Sequence, residues 1–187
     1  MKRSTKAVFH AFLAISIVAA AILLAITAQE SEWIQNVVSR YGYAGIFIAA
    51  VISGFNLAVP VPIASFIPLF LVSGHALWPV IAVITAGLTF ADSLSFYVGK
   101  VGRRLLVPEE YSKSLMRLER LQERWKWSPP IALFLFAAFV PLPNEVLVIP
   151  LAFLGWRLKT LIPPLLFGNA LFNTLLGLGI TAFFPGI

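Results

Sequence analysis

The sequence predicts an all-α integral membrane protein. An N-terminal transmembrane helix is followed by an inverted repeat of a re-entrant helical hairpin plus one transmembrane helix. Hydrophobic residues make up 59% of the chain and charged residues 12%, whereas soluble domains have about 45–50% and about 25%. Residues 41–91 and 160–187 contain no Asp, Glu, Lys or Arg, as membrane-embedded segments require. Two further apolar segments are each too short for two spans and are split by a Pro-x-Pro sequence.

Residues 1–28 are predicted to form the N-terminal transmembrane helix. The apolar run from Ala7 to Ala28 is longer than the roughly 7–15 residues of a signal-peptide core. We therefore interpret it as a retained helix, with cleavage after Ala28 as the alternative. Residues 29–42 are short and amphipathic, which is typical of an interfacial linker.

Residues 43–102 form the first predicted repeat. The stretch 43–73 is apolar but shorter than the roughly 40 residues that two full spans need. Asn56, Pro60 and Pro62 interrupt it, so we expect a re-entrant hairpin whose second half-helix begins near Ile63. Residues 76–100 are then long enough to cross the membrane.

Residues 103–127 are a predicted cytoplasmic amphipathic helix, because apolar residues recur there at helical spacing. Residues 128–187 repeat the pattern of residues 43–102. Pro141 and Pro143 split the segment 128–156, and residues 158–184 can cross once.

The two repeats align when the second is shifted by 81 residues, and six positions then match in type. Each unit contains a returning hairpin and one crossing helix, so the second unit must begin on the opposite side of the membrane. This path places 13 of the 14 Lys and Arg residues on one side and Arg40 on the other. The positive-inside rule identifies the first side as cytoplasmic. We therefore expect a multi-pass protein of the plasma (cytoplasmic) membrane with a cytoplasmic N-terminus. The matched positions are Pro60 with Pro141, Pro62 with Pro143, Gly74 with Gly155, Gly87 with Gly168, Phe55 with Phe136 and Asp92 with Asn173.

Asp92 and Glu145 are the only acids within the predicted membrane segments. Ionisable residues at this depth usually face protein or water and are usually functional. Glu145 begins a half-helix, where free backbone N–H groups collect. The alternative is that Asn144 caps this helix and Glu145 only complements its dipole.

Asp92 shares one face of its predicted helix with Thr85, Thr89, Phe96 and Gly99. In the second unit the matching face carries Asn169, Asn173 and Gly177. Polar contacts that hold helices together are the alternative to a binding role for Asp92, and the favoured interpretation for Asn173. Lys100 follows on the same helix and either snorkels to the interface, which we favour, or holds a lipid phosphate.

The chain has no motif of a known hydrolase and no phosphate-binding glycine loop. It contains no cysteine, which excludes disulfides, thiolate metal sites and cysteine nucleophiles. Asp92 with Glu145 is the one conceivable acid pair for an aspartyl hydrolase, and nothing else supports an enzyme. We expect no metal and no cofactor. The net charge of +6 follows from basic residues that flank apolar segments, not from nucleic-acid binding.

Two hairpins with Pro-x-Pro tips and the segment "GLTFADSLSFYVGKVGRR" resemble the VTT (SNARE-associated) domain family, which includes the bacterial DedA proteins. Asp92, Phe96, Gly99 and Lys100 match the family pattern, although Ala91 stands where Gly is usual. "FVPLPNEVLVIPLAFLGW" resembles the second hairpin of the YqaA-like branch, with Glu145 at its acidic position. The resemblance extends from about Tyr43 to the C-terminus.

The resemblance implies transport or scrambling of lipids, with protons as the coupling ion. Many DedA proteins have arginines at the second hairpin tip, where this chain has Ala138 and Asn144, so a polyprenyl phosphate substrate is in doubt. The predicted function is a transporter or flippase that moves a lipid or small polar solute, with membrane lipids as partners and a homo-oligomer allowed. The alternative is a non-transporting scaffold that organises the bilayer.

Overall fold

The computed structural model describes Asn36 and residues 40–54, 63–106 and 127–183, and this part of the chain is helical without strands. The predicted all-α class is confirmed for these residues. The predicted N-terminal helix, the tip residues Asn56, Pro60 and Pro62, and most of the linker and of the amphipathic segment lie outside them. The elements are α1 (Tyr43–Gly54), a 3₁₀ helix (Ile63–Phe66), α2 (Ile67–Val72), α3 (Leu77–Leu106), α4 (Ser128–Phe139), α5 (Glu145–Phe153) and α6 (Leu158–Phe183).

The two longest helices, α3 and α6, are long and apolar enough to cross a membrane. With 30 and 26 residues, they are about 45 and 39 Å long at 1.5 Å per residue. Helix α3 continues to Leu106, past the predicted end at Lys100, so Arg103 and Arg104 belong to its last turn. The residues that pack between the two helices run in opposite directions along them, which makes the pair antiparallel.

Hairpin 1, formed by α1, the 3₁₀ helix and α2, lies beside the first half of α3. Gly87 of α3 packs against Ala50, and Gly54 packs against Ala91, so α1 and α3 advance in the same direction. The chain then returns to the start of α3, where the Ala76 amide donates to the Tyr43 hydroxyl at 3.3 Å. The end of α1 therefore lies level with the middle of α3.

Hairpin 2, formed by α4 and α5, lies at the other half of the long pair. Helix α4 packs on α6, and α5 packs on α3. Gly99 of α3 allows the close approach of α5, because a Cβ there would lie 2.8 Å from Ala152 Cβ and would also clash with the Ile149 carbonyl oxygen. Helix α5 runs parallel to α3, from the level of Asp92 to that of Gly102.

The two hairpins end in the same turn. Gly74 (φ +86°) and Gly155 (φ +93°) adopt the left-handed conformation, which glycine reaches without a Cβ penalty. The amide of each glycine bonds to a carbonyl three residues earlier, and the next amide reaches back five residues. The two turns are 81 residues apart, in agreement with the repeat frame.

The first helices of the two hairpins match in a frame of 87 residues instead. A Cβ added at Gly87 would lie 3.0 Å from the Phe47 carbonyl oxygen and 2.6 Å from Ala50 Cβ. A Cβ added at Gly168 would lie at the same distances from the Phe134 carbonyl oxygen and Ala137 Cβ. The helix contacts do not follow the Phe55–Phe136 match. From this contact to the closing glycine, hairpin 2 is six residues shorter than hairpin 1: Ala137 precedes Gly155 by 18 residues, and Ala50 precedes Gly74 by 24.

Two apolar clusters form the core, one at each half of α3. The first includes Ile46, Phe66 and Ile84, and the second includes Phe96 and Leu165. Much of the remaining surface is exposed and apolar, including Phe90, Leu94, Val98, Leu105, Trp127, Ile131, Leu135, Phe139, Phe167, Leu175 and Leu178.

Candidate functional site

A layer of buried polar side chains separates the two apolar clusters. Along α3 the first cluster ends at Ile84 and the second begins at Phe96, and the polar residues lie between these positions. Each of these side chains is at most 8% exposed. Those on α3 and α6 lie in the middle parts of the helices, away from the helix ends. A polar layer at this depth costs free energy unless its groups are hydrogen-bonded. Its buried members are Thr85, Thr89, Asp92, Ser95, Glu145, Asn169 and Asn173.

The antiparallel register of α3 and α6 brings the polar residues of the two helices together. Asn169 donates to Thr89 Oγ1 at 3.3 Å, and Asn173 donates to Thr85 Oγ1 at 3.4 Å. Each step of four residues forward on α6 therefore matches four residues backward on α3. A spacing of four keeps side chains on one helix face, so both polar stripes face each other.

Asp92 is the centre of this layer. Its Oδ2 atom accepts a hydrogen bond from Asn169 at 2.9 Å and another from Asn144 at 3.0 Å. The Asp92 side chain is only 2% exposed. Its carboxyl group therefore links three elements: α3, α6 and the start of α5.

Asn144 does not cap α5 with its side chain, so the capping alternative is wrong. Its amide nitrogen donates instead to Asp92 and to Asn169 Oδ1, the latter at 2.9 Å. The backbone still starts the helix, since the Leu147 and Val148 amides donate to the Asn144 carbonyl. The side chain is thus free to anchor the hairpin tip to the long helices.

The amide donors of this network are fully used. A side-chain amide has two N–H bonds; those of Asn144 go to Asp92 and Asn169, and those of Asn169 go to Asp92 and Thr89. No amide proton of these two residues remains for a further acceptor. Any additional oxygen in the layer needs a different partner.

The Oε1 atom of Glu145 is such an acceptor oxygen. Glu145 is the first residue of α5 and is 2% exposed, and its Oε1 atom has no hydrogen-bond partner. The carboxyl group of Glu145 is close enough to interact electrostatically with that of Asp92. No basic side chain among the described residues contributes to the electrostatics of either acid. The centre of the layer is therefore acidic.

Ser95 faces the same region from α3. It lies between Asp92, which bonds Asn144, and Gly99, which packs on α5, so the three share the face toward α5. Its side chain is fully buried, and its Oγ atom has no hydrogen-bond partner. Ser95 and Glu145 thus leave two unsatisfied oxygens beside the Asp92 network.

The predicted site residues divide into two groups. Asp92, Asn144 and Glu145 come together, and Pro141 and Pro143 flank the tip just before them. Asn173 lies in the polar layer but bonds Thr85, and its Oδ1 atom has no partner. Lys100 is exposed and lies two turns beyond Asp92 on α3.

Sequence reasoning did not select Asn169 or Ser95 as site residues. The repeat frame pairs Asp92 with Asn173, whereas the antiparallel crossing puts Asn169 against Asp92. The Thr-x-x-x-Thr and Asn-x-x-x-Asn spacings could have revealed this register. Ser95 had no such signal, because its importance depends on where α5 packs.

No family model, curated protein or solved structure matches the chain. Within the described residues there is no group of three or more His, Asp and Glu side chains that could hold a metal ion. The basis for a functional hypothesis is therefore the geometry of the polar layer.

Proposed function

We propose that the protein is an integral membrane transporter or lipid flippase of the DedA type. In this proposal α3 and α6 cross the plasma membrane, and the N-terminus is cytoplasmic. A lipid or small polar solute moves through a site at the polar layer. The observation that carries the proposal is the buried Asp92–Asn144–Asn169 network at the tip of hairpin 2, beside Glu145, whose Oε1 atom is buried without a hydrogen-bond partner.

The proposed architecture is an inverted repeat, and two features support it. Hairpin 1 opens at the start of α3, whereas hairpin 2 opens at the start of α6, the opposite end of an antiparallel pair. The turns at Gly74 and Gly155 share one hydrogen-bond pattern. Transporters built from inverted repeats place their sites at the repeat interface near the bilayer midplane.

The proposed hairpins are re-entrant because their helices are too short to cross. Helices α1 and α4 have 12 residues each, or about 18 Å, against about 30 Å of hydrocarbon. The end of α1 and the start of α5 lie level with the middle of α3. Irregular backbone at such depth is tolerated where protein or water surrounds it.

The chemistry of the centre argues against an anionic substrate. Two acids lie there, and no basic partner among the described residues offsets them. A phosphate group would normally be held by Arg or Lys. We therefore favour a substrate with a neutral polar or a cationic headgroup over a polyprenyl phosphate.

Reconstitution into liposomes tests the proposal. Fluorescent lipids of several headgroup classes and a panel of small solutes would be followed across the bilayer. The wild type is expected to move at least one of them, and Asp92→Asn or Glu145→Gln to slow that movement at least tenfold. Ser93→Ala is the control, because Ser93 bonds only the Thr89 carbonyl of its own helix.

Unchanged movement in both acid variants would refute the assigned roles. An absence of movement across the whole panel would favour the alternative, a scaffold that organises the bilayer. In a scaffold the polar layer would serve only to hold the helices together, as interhelical hydrogen bonds do in many membrane proteins.

A further inference from the structure

We propose that the polar layer binds a monovalent metal cation, with Na⁺ as the probe, between the start of α5 and α3. The assigned ligands are the Glu145 carboxylate and the Ser95 hydroxyl. This inference deepens the proposed function, because a bound cation would be the coupling ion of the same site.

The polar layer has more buried acceptor oxygens than free amide protons. Both amide groups that reach Asp92 have spent their protons, yet Glu145 Oε1 and Ser95 Oγ are buried without partners. Unsatisfied buried oxygens are costly, and an unpaired buried carboxylate is costlier still. A cation bound between α3 and the start of α5 would satisfy both oxygens, since neither needs to donate a proton to it.

The backbone at the tip of hairpin 2 offers further carbonyl oxygens. Pro141 and Pro143 lack N–H groups, so the carbonyls of Ala137 and Phe139, four residues earlier, cannot receive the usual helical bond. The end of α4 is therefore rich in acceptors next to the first turn of α5. Helix C-terminal ends and unwound carbonyls coordinate Na⁺ in other broken-helix transporters.

The small number of unpartnered oxygen ligands favours a monovalent ion. Asp92 Oδ2 already accepts two amide donors, and among the described residues Glu145 Oε1 is the buried carboxylate oxygen that lacks a hydrogen-bond partner. Calcium takes 6–8 oxygen ligands and usually several carboxylates. All the assigned ligands are hard oxygen atoms, which suit Na⁺ better than a soft metal. Asn173 Oδ1 is excluded, because it lies at the level of Thr85, more than one helical turn from Asp92.

The test measures binding in detergent, where no transport occurs. Purified full-length protein would be titrated with ²²Na⁺, and its thermal unfolding compared in NaCl, KCl and choline chloride at equal ionic strength. We expect saturable binding and a higher unfolding temperature in NaCl. Glu145→Gln is expected to weaken binding at least tenfold.

Ser95→Ala and Ser93→Ala form a matched pair on α3. Ser95→Ala removes one assigned ligand and is expected to weaken Na⁺ binding about threefold to tenfold. Ser93 donates to the Thr89 carbonyl at 2.8 Å, and its removal is expected to leave Na⁺ affinity unchanged. Binding is normalised to monodisperse protein, so a loss of folding is not read as a loss of affinity.

Three results would overturn the inference: no saturable ²²Na⁺ binding, equal stabilisation by choline, or full affinity in Glu145→Gln. A site that responds to pH but never to Na⁺ would be a proton site and also contradicts it. Na⁺ binding without substrate movement would leave this inference intact and refute the transporter. Substrate movement without Na⁺ binding would refute this inference and leave the transporter proposal intact.

Discussion

The hydrogen bond between Asp92 and Asn169 gives a quantitative test of the polar layer. Asn169→Leu keeps the branched shape of the side chain but removes two donated bonds, to Asp92 and Thr89, and one accepted from Asn144. A bond to a charged group contributes about 1.5–3 kcal/mol and a neutral one about 0.5–1.5 kcal/mol. We therefore expect Asn169→Leu to lower the free energy of unfolding by about 3 kcal/mol.

A double-mutant cycle isolates the contact itself. Asp92→Leu, Asn169→Leu and the double variant would be unfolded in bicelles by steric trapping. At 2.9 Å, a bond to an ionised Asp92 would give a coupling of about 2 kcal/mol. Interhelical hydrogen bonds in membrane proteins average only about 0.6 kcal/mol, so the expected value is distinguishable.

The pair Thr85 and Asn173 is the matched control. It lies one register step away on the same two helices, is neutral, and has a donor–acceptor distance of 3.4 Å. Its coupling is expected to be about 0.6 kcal/mol or less. Equal couplings for the two pairs would refute a charged Asp92 and would reduce the layer to ordinary contacts between helices.

Two further predictions follow from packing and exposure. Gly99→Ala should destabilise the fold by about 1–3 kcal/mol through overpacking against α5. Gly102→Ala should be neutral or about 1 kcal/mol stabilising, since the nearest atom to its added Cβ would be 4.0 Å away. Equal unfolding free energies for the two variants would contradict the packing of α5 on α3. Since the chain has no native cysteine, Leu142→Cys at the hairpin tip should react with a membrane-impermeant thiol reagent in liposomes, whereas Phe167→Cys, exposed on α6, should not; an unlabelled Leu142→Cys would argue against a water-filled site.

Most helices were predictable because their boundaries depend on residues next to them in the sequence. The charge-free run and the glycine at residue 155 place the start of α6, and Pro141 and Pro143 place the break before α5. The end of α3 was less predictable, since Arg103 and Arg104 were assigned to the start of the predicted amphipathic helix. Basic residues stabilise the last turn of a helix, and this is their position in α3.

The site was only half predictable, because its contacts join distant parts of the chain. The sequence placed Asp92 on a polar face and Glu145 at a half-helix start. It did not predict that Asn144 would turn away from its own helix to bond Asp92, since capping is the local preference for that residue. That Asn169, and not Asn173, lies opposite Asp92 becomes visible only when the Thr spacing of α3 and the Asn spacing of α6 are compared in antiparallel register, not from one helix alone.

The residues that bond Asp92 are synthesised long after Asp92 itself. Asp92 is synthesised 52 residues before Asn144 and 77 residues before Asn169. In the proposed membrane topology, α3 would therefore insert before either amide partner of its acid has been synthesised. Late insertion of α6 would complete the first core as well, because Phe172, Leu176 and Ile180 pack against it. The first half of the chain therefore cannot complete either the Asp92 network or the first apolar cluster on its own.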